Sequence, residues 1–203
     1  MKSLSEIETI SKRASRAAGY PWGICEEVGK NVRLLEMFGL PGIKNLNDYF
    51  DKNKEQKFES LKLINAENKA AKLQYCPIIS GTSFLDQIKS LEKLNEIKFE
   101  RIAYPLLFLP FVSRASEVIG KRLLLKLDKN EFLLNFNNSI CSNFSNNEII
   151  NIANHATIKL LENSDSFSEN EWNQLYKLSE ETFVEESDSL KETAAGAGQI
   201  DND

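Results

Sequence analysis

Two groups of side chains have the types and spacing for chemistry. Near the C-terminal end, Ala195-Gly196-Ala197-Gly198-Gln199-Ile200-Asp201-Asn202-Asp203 runs from small residues into an acidic tip. Gly196 and Gly198 lack Cβ atoms, so the backbone there can lie close against another surface. Asp201 and Asp203 offer the oxygen donors that a hard divalent cation, Mg²⁺ or Ca²⁺, takes, and they are the candidate metal ligands. The second group is N-terminal. Lys12, Arg13 and Arg16 sit on the polar side of one helical pattern and Arg33 on the next. Glu26 and Glu27 are adjacent, about 100° apart on a helix, so they do not form an acid–base pair by themselves. Glu27, with Arg33 to neutralise it, is a candidate catalytic carboxylate. Cys76, before Pro77, is a candidate nucleophile if a neighbouring base activates it. His155 is the only imidazole, and nothing in the spacing brings it to Cys76.

Charge is unevenly placed along the chain. The net charge is −5, yet Glu162 to Asp203 holds twelve Asp/Glu against Lys177 and Lys191, while residues 1–161 hold 23 Lys/Arg and 18 Asp/Glu. The simple reading is a solvated acidic end; the sharper one is an acidic end meeting a basic face of its own chain or of a partner. Lys/Arg clusters interleaved with aromatics are absent, so nucleic acid is not expected as a partner. The apolar run from Ile102 to Val112 contains Pro105 and Pro110 and is too short to span a bilayer. Met1-Lys2-Ser3-Leu4-Ser5-Glu6 has no apolar h-region, and Cys25, Cys76 and Cys141 form no C-x-x-C pair. Reduced thiols and a cytoplasmic location are therefore expected. No G-x-S-x-G elbow, Walker loop or H-E-x-x-H motif occurs. Gly196 and Gly198 do not stand between a strand and a helix, as a dinucleotide fingerprint requires.

The elements that must position these residues follow from periodicity. Ile7, Ile10, Ala14, Ala17 and Ala18 predict a helix over 5–18, with Ser5 and Glu8 as its capping box and Gly19 as its stop. Pro21 suits the first position of a helix reaching Phe38, with Cys25, Val28, Val32 and Leu35 as its apolar stripe. These two form a helical hairpin with Gly29 at a close approach. Asn47 is expected to cap a short helix, and Phe58, Leu61 and Ile64 to mark another. Cys76 to Ser83 reads as an extended entry to a helix capped by Ser83 and Asp86, with Leu85, Ile88 and Leu91 inward. Residues 97–109 read as strand interrupted at Pro105, followed by a helical turn or two from Ser113. Leu123–Leu127 and Glu131–Leu134 predict a hairpin across Asp128-Lys129-Asn130. Residues 135–141 and 149–161 are further strands, and 169–184 is a final helix with Ser168 and Glu171 as capping box. The fold class is α+β: an N-terminal helical hairpin (1–42) and a C-terminal helix (168–184) packed on a mostly antiparallel sheet (76–161), in a single domain ending in a glycine-rich acidic tail (185–203).

The combination Pro21-Trp22-Gly23, Glu26-Glu27 with Gly29 and Arg33, Gly39-Leu40-Pro41-Gly42, Cys76-Pro77, the Pro105–Pro110 run, Phe183-Val184 with Glu186-Ser187, and Gly196-Ala197-Gly198 with Asp201-Asn202-Asp203 resembles a bacterial family. That family is catalogued as a domain of unknown function, number thirty-seven twenty-six. Glu185 departs from its pattern, standing in place of a proline-type turn, as does Ala195, where glycine is more usual. The resemblance implies a bacterial protein whose acidic end has a role, and it implies no reaction. With it, Ser187, Gly196 and Gly198 join Arg16 and Arg33 as candidate ligand-binding residues.

The expectation that follows is a protein of small-molecule metabolism. Its site would lie between the basic N-terminal helices and the acidic tail, with Arg16 and Arg33 as anchors and Glu27 orienting the ligand or moving a proton. The alternatives are an accessory subunit whose tail docks into a partner enzyme, and a homodimer that exchanges tails.

Overall fold

Ser3 opens the first helix, α1 (Leu4–Ala17), by accepting the Glu6 backbone N–H on its Oγ at 3.1 Å. This replaces the expected Ser5–Glu8 capping box. A helix starting at Leu4 leaves Ser5 inside the first turn, and Glu8 reaches across to Arg33 instead. Gly19, at φ +96°, turns the chain out of the helix. Pro21 precedes α2 (Trp22–Met37) as its N-cap, at ψ 153°, rather than filling its first helical position. Cys25, Val28, Val32 and Leu35 are buried along α2, as their spacing requires. A Cβ on Gly29 would lie 2.8 Å from the Glu8 carbonyl oxygen, so the absent side chain is what lets α1 and α2 meet. This computed structural model describes residues 2–137, 139–144, 150–162 and 164–182.

Gly39 (φ +68°) and Pro41 lead into α3 (Gly42–Glu55). Asn47, expected to start a short helix, lies in the middle of this longer one; Asn45 instead secures the first turn by donating to the Pro41 carbonyl at 2.7 Å. Phe58, Leu61 and Ile64 form no helix. Their segment is held extended by the Glu59 carboxylate, which accepts the backbone N–H groups of Ala71, Lys72 and Leu73 at 2.9–3.2 Å. Phe58 then stacks on Tyr49, with ring centroids 5.2 Å apart, and Ile64 is buried.

Helix α4 (Pro77–Leu91) begins six residues before its expected Ser83 cap. The Cys76 thiol serves as cap by accepting from Ile79 N, and Pro77 fills the first turn, where its missing N–H costs nothing. The stretch read as strand after Pro105 is helical: a 3₁₀ turn (Pro105–Leu107) runs into α5 (Leu109–Ile119). Pro105 and Pro110 both stand in first turns, and Tyr104 leaves the preceding strand at φ +43°. Gly81 receives the Phe111 ring where α4 crosses α5, with 2.2 Å from the ring to a would-be Cβ.

One six-stranded sheet backs these helices, built from β1 (Glu67–Asn68), β2 (Glu96–Ala103), β3 (Arg122–Leu127), β4 (Asn130–Leu134), β5 (Ile140–Ser142) and β6 (Ile152–Leu161) in the order β1-β2-β6-β3-β4-β5. Among these six strands only the β1–β2 pairing is parallel, so the α+β class with a mostly antiparallel sheet holds. The expected β3–β4 hairpin forms, but it turns on Asp128-Lys129 alone, since Asn130 already pairs with Leu127 instead of belonging to the turn. Leu123, Leu125, Leu127, Phe132 and Leu134 point to the buried face, and Lys126 and Glu131 pair on the other. In β2 and β6 the inward phase shifts at one level, from Phe99 to Ile102 and from Ala153 to Ala156. Arg101, at φ +52°, and the Asp128 carboxylate, which accepts from the N–H groups of Asn154 and His155, mark that shift.

By contact the chain divides into two units, Met1–Asn163 and Ser164–Asp203. In the second, Ser168 and Glu171 form the expected capping box of α6 (Glu169–Glu180), and Phe167 stacks on Trp172 at 5.5 Å. The helix ends earlier than expected; Phe183 and Val184 lie outside the described residues. Among the described residues no helix is long and apolar enough to cross a membrane.

Candidate functional site

The helical hairpin carries two clusters of charge, and they are built differently. Near Met37, Lys30, Arg33 and Leu34 of α2 and Arg114 and Glu117 of α5 line a recess of about 200 Å³. Glu27 stands beside it, accepting from Lys30 on Oε1 at 3.1 Å and from Arg114 on Oε2. Burial acts most strongly on this carboxyl and raises its pKa. The hydrogen bonds from Arg114 and Lys30 together outweigh that burial, and the pKa is held below the usual carboxylate range. Arg114 also reaches the Asn31 Oδ1 at 3.4 Å. Arg33 pairs with Glu8 at 3.0 Å. Each of these three cations thus has an acidic partner, and the network ties α2 to α1 and α5.

The second cluster lies where the end of α1 meets the start of α2. Thr9, Lys12, Arg13 and Arg16 recur at the i, i+3, i+4, i+7 spacing that places side chains on one helix face. Thr9, Lys12 and Arg13 line an open recess of about 530 Å³ with Trp22 and Glu26 of α2. Lys12 pairs with Glu26 at 2.7 Å, which draws the Glu26 carboxyl below its ordinary pKa. The Lys12 ammonium lies 5.8 Å, and the Arg16 guanidinium 5.4 Å, from the centre of the Trp22 indole. Arg16 Nη1 also donates to the Tyr20 carbonyl. Arg13 has no hydrogen bond or ion pair among the described residues. Three cations therefore face one carboxylate here. Pro21 supplies no side-chain cap to α2, and the space beside Gly23 is open.

The turn carrying Trp22 is anchored from beneath. The Tyr20 hydroxyl lies 2.6 Å from that of Tyr49, which lies 3.1 Å from the Cys76 sulfur. Burial, and then the neighbouring Cys76, push both phenols well above the ordinary tyrosine range, so they act as neutral hydroxyls. Cys25 donates to the Tyr20 carbonyl at 3.3 Å. Cys76 is thus a buried helix cap bonded to a phenol, while His155 sits exposed on β6 opposite Glu100.

Of the residues nominated from sequence, Glu27 and Arg33 belong to the first cluster, Arg16 to the second, and Cys76 to the buried layer under it. Ser187, Gly196, Gly198, Asp201 and Asp203 lie outside the described residues. Among the described residues no group of three or more His, Cys, Asp or Glu side chains could hold a metal ion. Sequence reading missed Arg114, whose signal was a lone cation amid apolar α5, and the face-sharing of Thr9 with Lys12, Arg13 and Arg16, which their spacing encodes.

A family model described as a protein of unknown function, DUF3726, matches residues 2–75. The resemblance read from sequence is therefore matched over that segment, which contains α1 to α3 and both clusters' α1 and α2 residues. Arg114, Cys76 and the acidic end lie beyond it. No curated protein and no solved structure matches the chain.

Proposed function

We propose that this chain binds a small anionic metabolite on the α1–α2 face that carries Lys12, Arg13, Arg16 and Trp22. The observation supporting the reading is a difference in compensation. Glu8, Glu26 and Glu27 are each engaged by a cation, whereas Arg13 has no carboxylate partner among the described residues and Arg16 bonds only a backbone carbonyl and an indole. An Arg with free N–H edges beside an open recess is suited to carboxylate or phosphate. Glu27 has a structural part in this reading, orienting Lys30 and Arg114 rather than moving a proton.

The test is a melting shift of the full-length protein in inorganic phosphate, against chloride at matched ionic strength. Phosphate is expected to raise Tm in the wild type and to leave Arg13→Gln/Arg16→Gln unmoved. An equal shift in both proteins would remove this face from consideration. The same measurement on a chain lacking residues 192–203 reads whether the acidic end competes for the anion: a larger shift after truncation is the expected sign of competition.

A further inference from the structure

The Trp22 recess has features that a bare anion would not use. The indole is 54% exposed, yet the turn that carries it is fixed by the Tyr20–Tyr49 hydrogen bond, the Arg16 bond to the Tyr20 carbonyl and the buried Cys25. A large apolar ring held open to solvent on a rigid turn is a stacking platform, because a ligand ring can cover it without ordering the protein first. The Arg16 guanidinium lies over that ring, 5.4 Å from its centre, and adds a second planar surface with N–H edges for an acceptor. The recess, at about 530 Å³, falls in the usual range for small-molecule sites, roughly 300–1,000 Å³. An inorganic ion would leave most of it empty. Glu26 engages Lys12 through Oε1 alone, which leaves Oε2 to accept from a ligand hydroxyl or ring N–H. The Thr9 side chain lines the same recess.

We infer that the ligand is a flat heteroaromatic ring carrying a phosphate, about the size of a mononucleotide. Its ring would stack on Trp22, its phosphate would lie against Arg13 and Arg16, and a hydroxyl or ring N–H would donate to Glu26. The inference rests on reading this face as an anion site, and goes beyond it by assigning the ring.

The experiment is calorimetric titration of the full-length protein with the four ribonucleoside monophosphates and FMN, and separately with adenosine and inorganic phosphate. At least one ring phosphate is expected to bind about tenfold or more tightly than either phosphate or adenosine alone. Trp22→Ala should cost the ring phosphates their advantage over inorganic phosphate measured on the same variant. Arg13→Gln/Arg16→Gln should weaken both. In a Trp172→Phe background, where Trp22 is the remaining indole, the bound ring should quench the fluorescence. If phosphate binds as tightly as every ring phosphate, or Trp22→Ala leaves the ring phosphates unaffected, the ring assignment is overturned and the anion reading stands. If neither phosphate nor any ring phosphate binds, the anion reading itself fails.

Discussion

The two charged clusters of the helical hairpin use the same residue types to opposite ends. Beside Met37, Lys30, Arg33 and Arg114 are matched against Glu27 and Glu8, and the result is a brace between helices. Beside Trp22, Lys12, Arg13 and Arg16 face Glu26 alone, and the surplus is left to solvent. A lysine or arginine at a helix surface therefore says little about binding until its partner is known. Compensation separates a brace from a site, and compensation is a property of three dimensions.

Gly29 is the point on which both clusters depend, so its substitution should have the largest effect. A Cβ there would lie 2.8 Å from the Glu8 carbonyl, a backbone atom that cannot swing aside. Gly29→Val forces α1 from α2 and should cost about 2–3 kcal/mol in chemical denaturation, in the range of overpacked cores. It should also abolish the phosphate-induced melting shift. A variant of wild-type stability would mean that the two helices do not meet as closely as described.

Next in size is the brace. Arg114→Leu leaves the Glu27 carboxylate half-buried with Lys30 as its remaining partner, and should destabilise by about 1–3 kcal/mol. Glu27→Gln in the same background should recover part of that loss, because the uncompensated charge is gone. The pH dependence carries the same sign. The folded Glu27 pKa lies below its ordinary value of 4.5, so its stabilising share is complete above that value and is lost as pH falls through the lowered one. Acid unfolding should thus lose part of its steepness below about pH 4.5 in Glu27→Gln. Identical acid limbs in the two proteins would show that the pair contributes nothing.

Much of this architecture was legible in the chain, and the places where it was not have common causes. The α2 stripe of Cys25, Val28, Val32 and Leu35, the Gly29 approach, the β3–β4 hairpin and the Ser168–Glu171 box all follow from local spacing and local chemistry. Pro105 and Pro110 misled because a proline in an apolar run interrupts a strand and starts a helix equally well; only the turn at Tyr104 separates the two. Cys76 misled because thiols rarely stand as caps. Phe58, Leu61 and Ile64 sit at helical spacing, but Glu59 captures three backbone N–H groups in an extended segment and overrides it. At the candidate site, the basic α1 residues were legible and their partners were not. Glu8, Glu26 and Arg114 are chosen by packing between elements, which no spacing within one element records.

The smallest effect expected is also the one that tests the comparison most finely. Arg33 and Glu8 form a cross-helix pair in which the Arg33 side chain is 51% and the Glu8 side chain 31% exposed. Pairs of that exposure contribute about 0.2–1 kcal/mol, and less as salt rises. Arg33→Gln should lower stability by that amount at low salt and by almost nothing in high salt, and should leave the phosphate-induced shift untouched, since Arg33 lines the braced recess and not the open one. A loss of phosphate response in Arg33→Gln would shift the anion to the recess beside Arg114. Lys30, Arg33 and Arg114, in place of Arg13 and Arg16, would then be the cations that hold it.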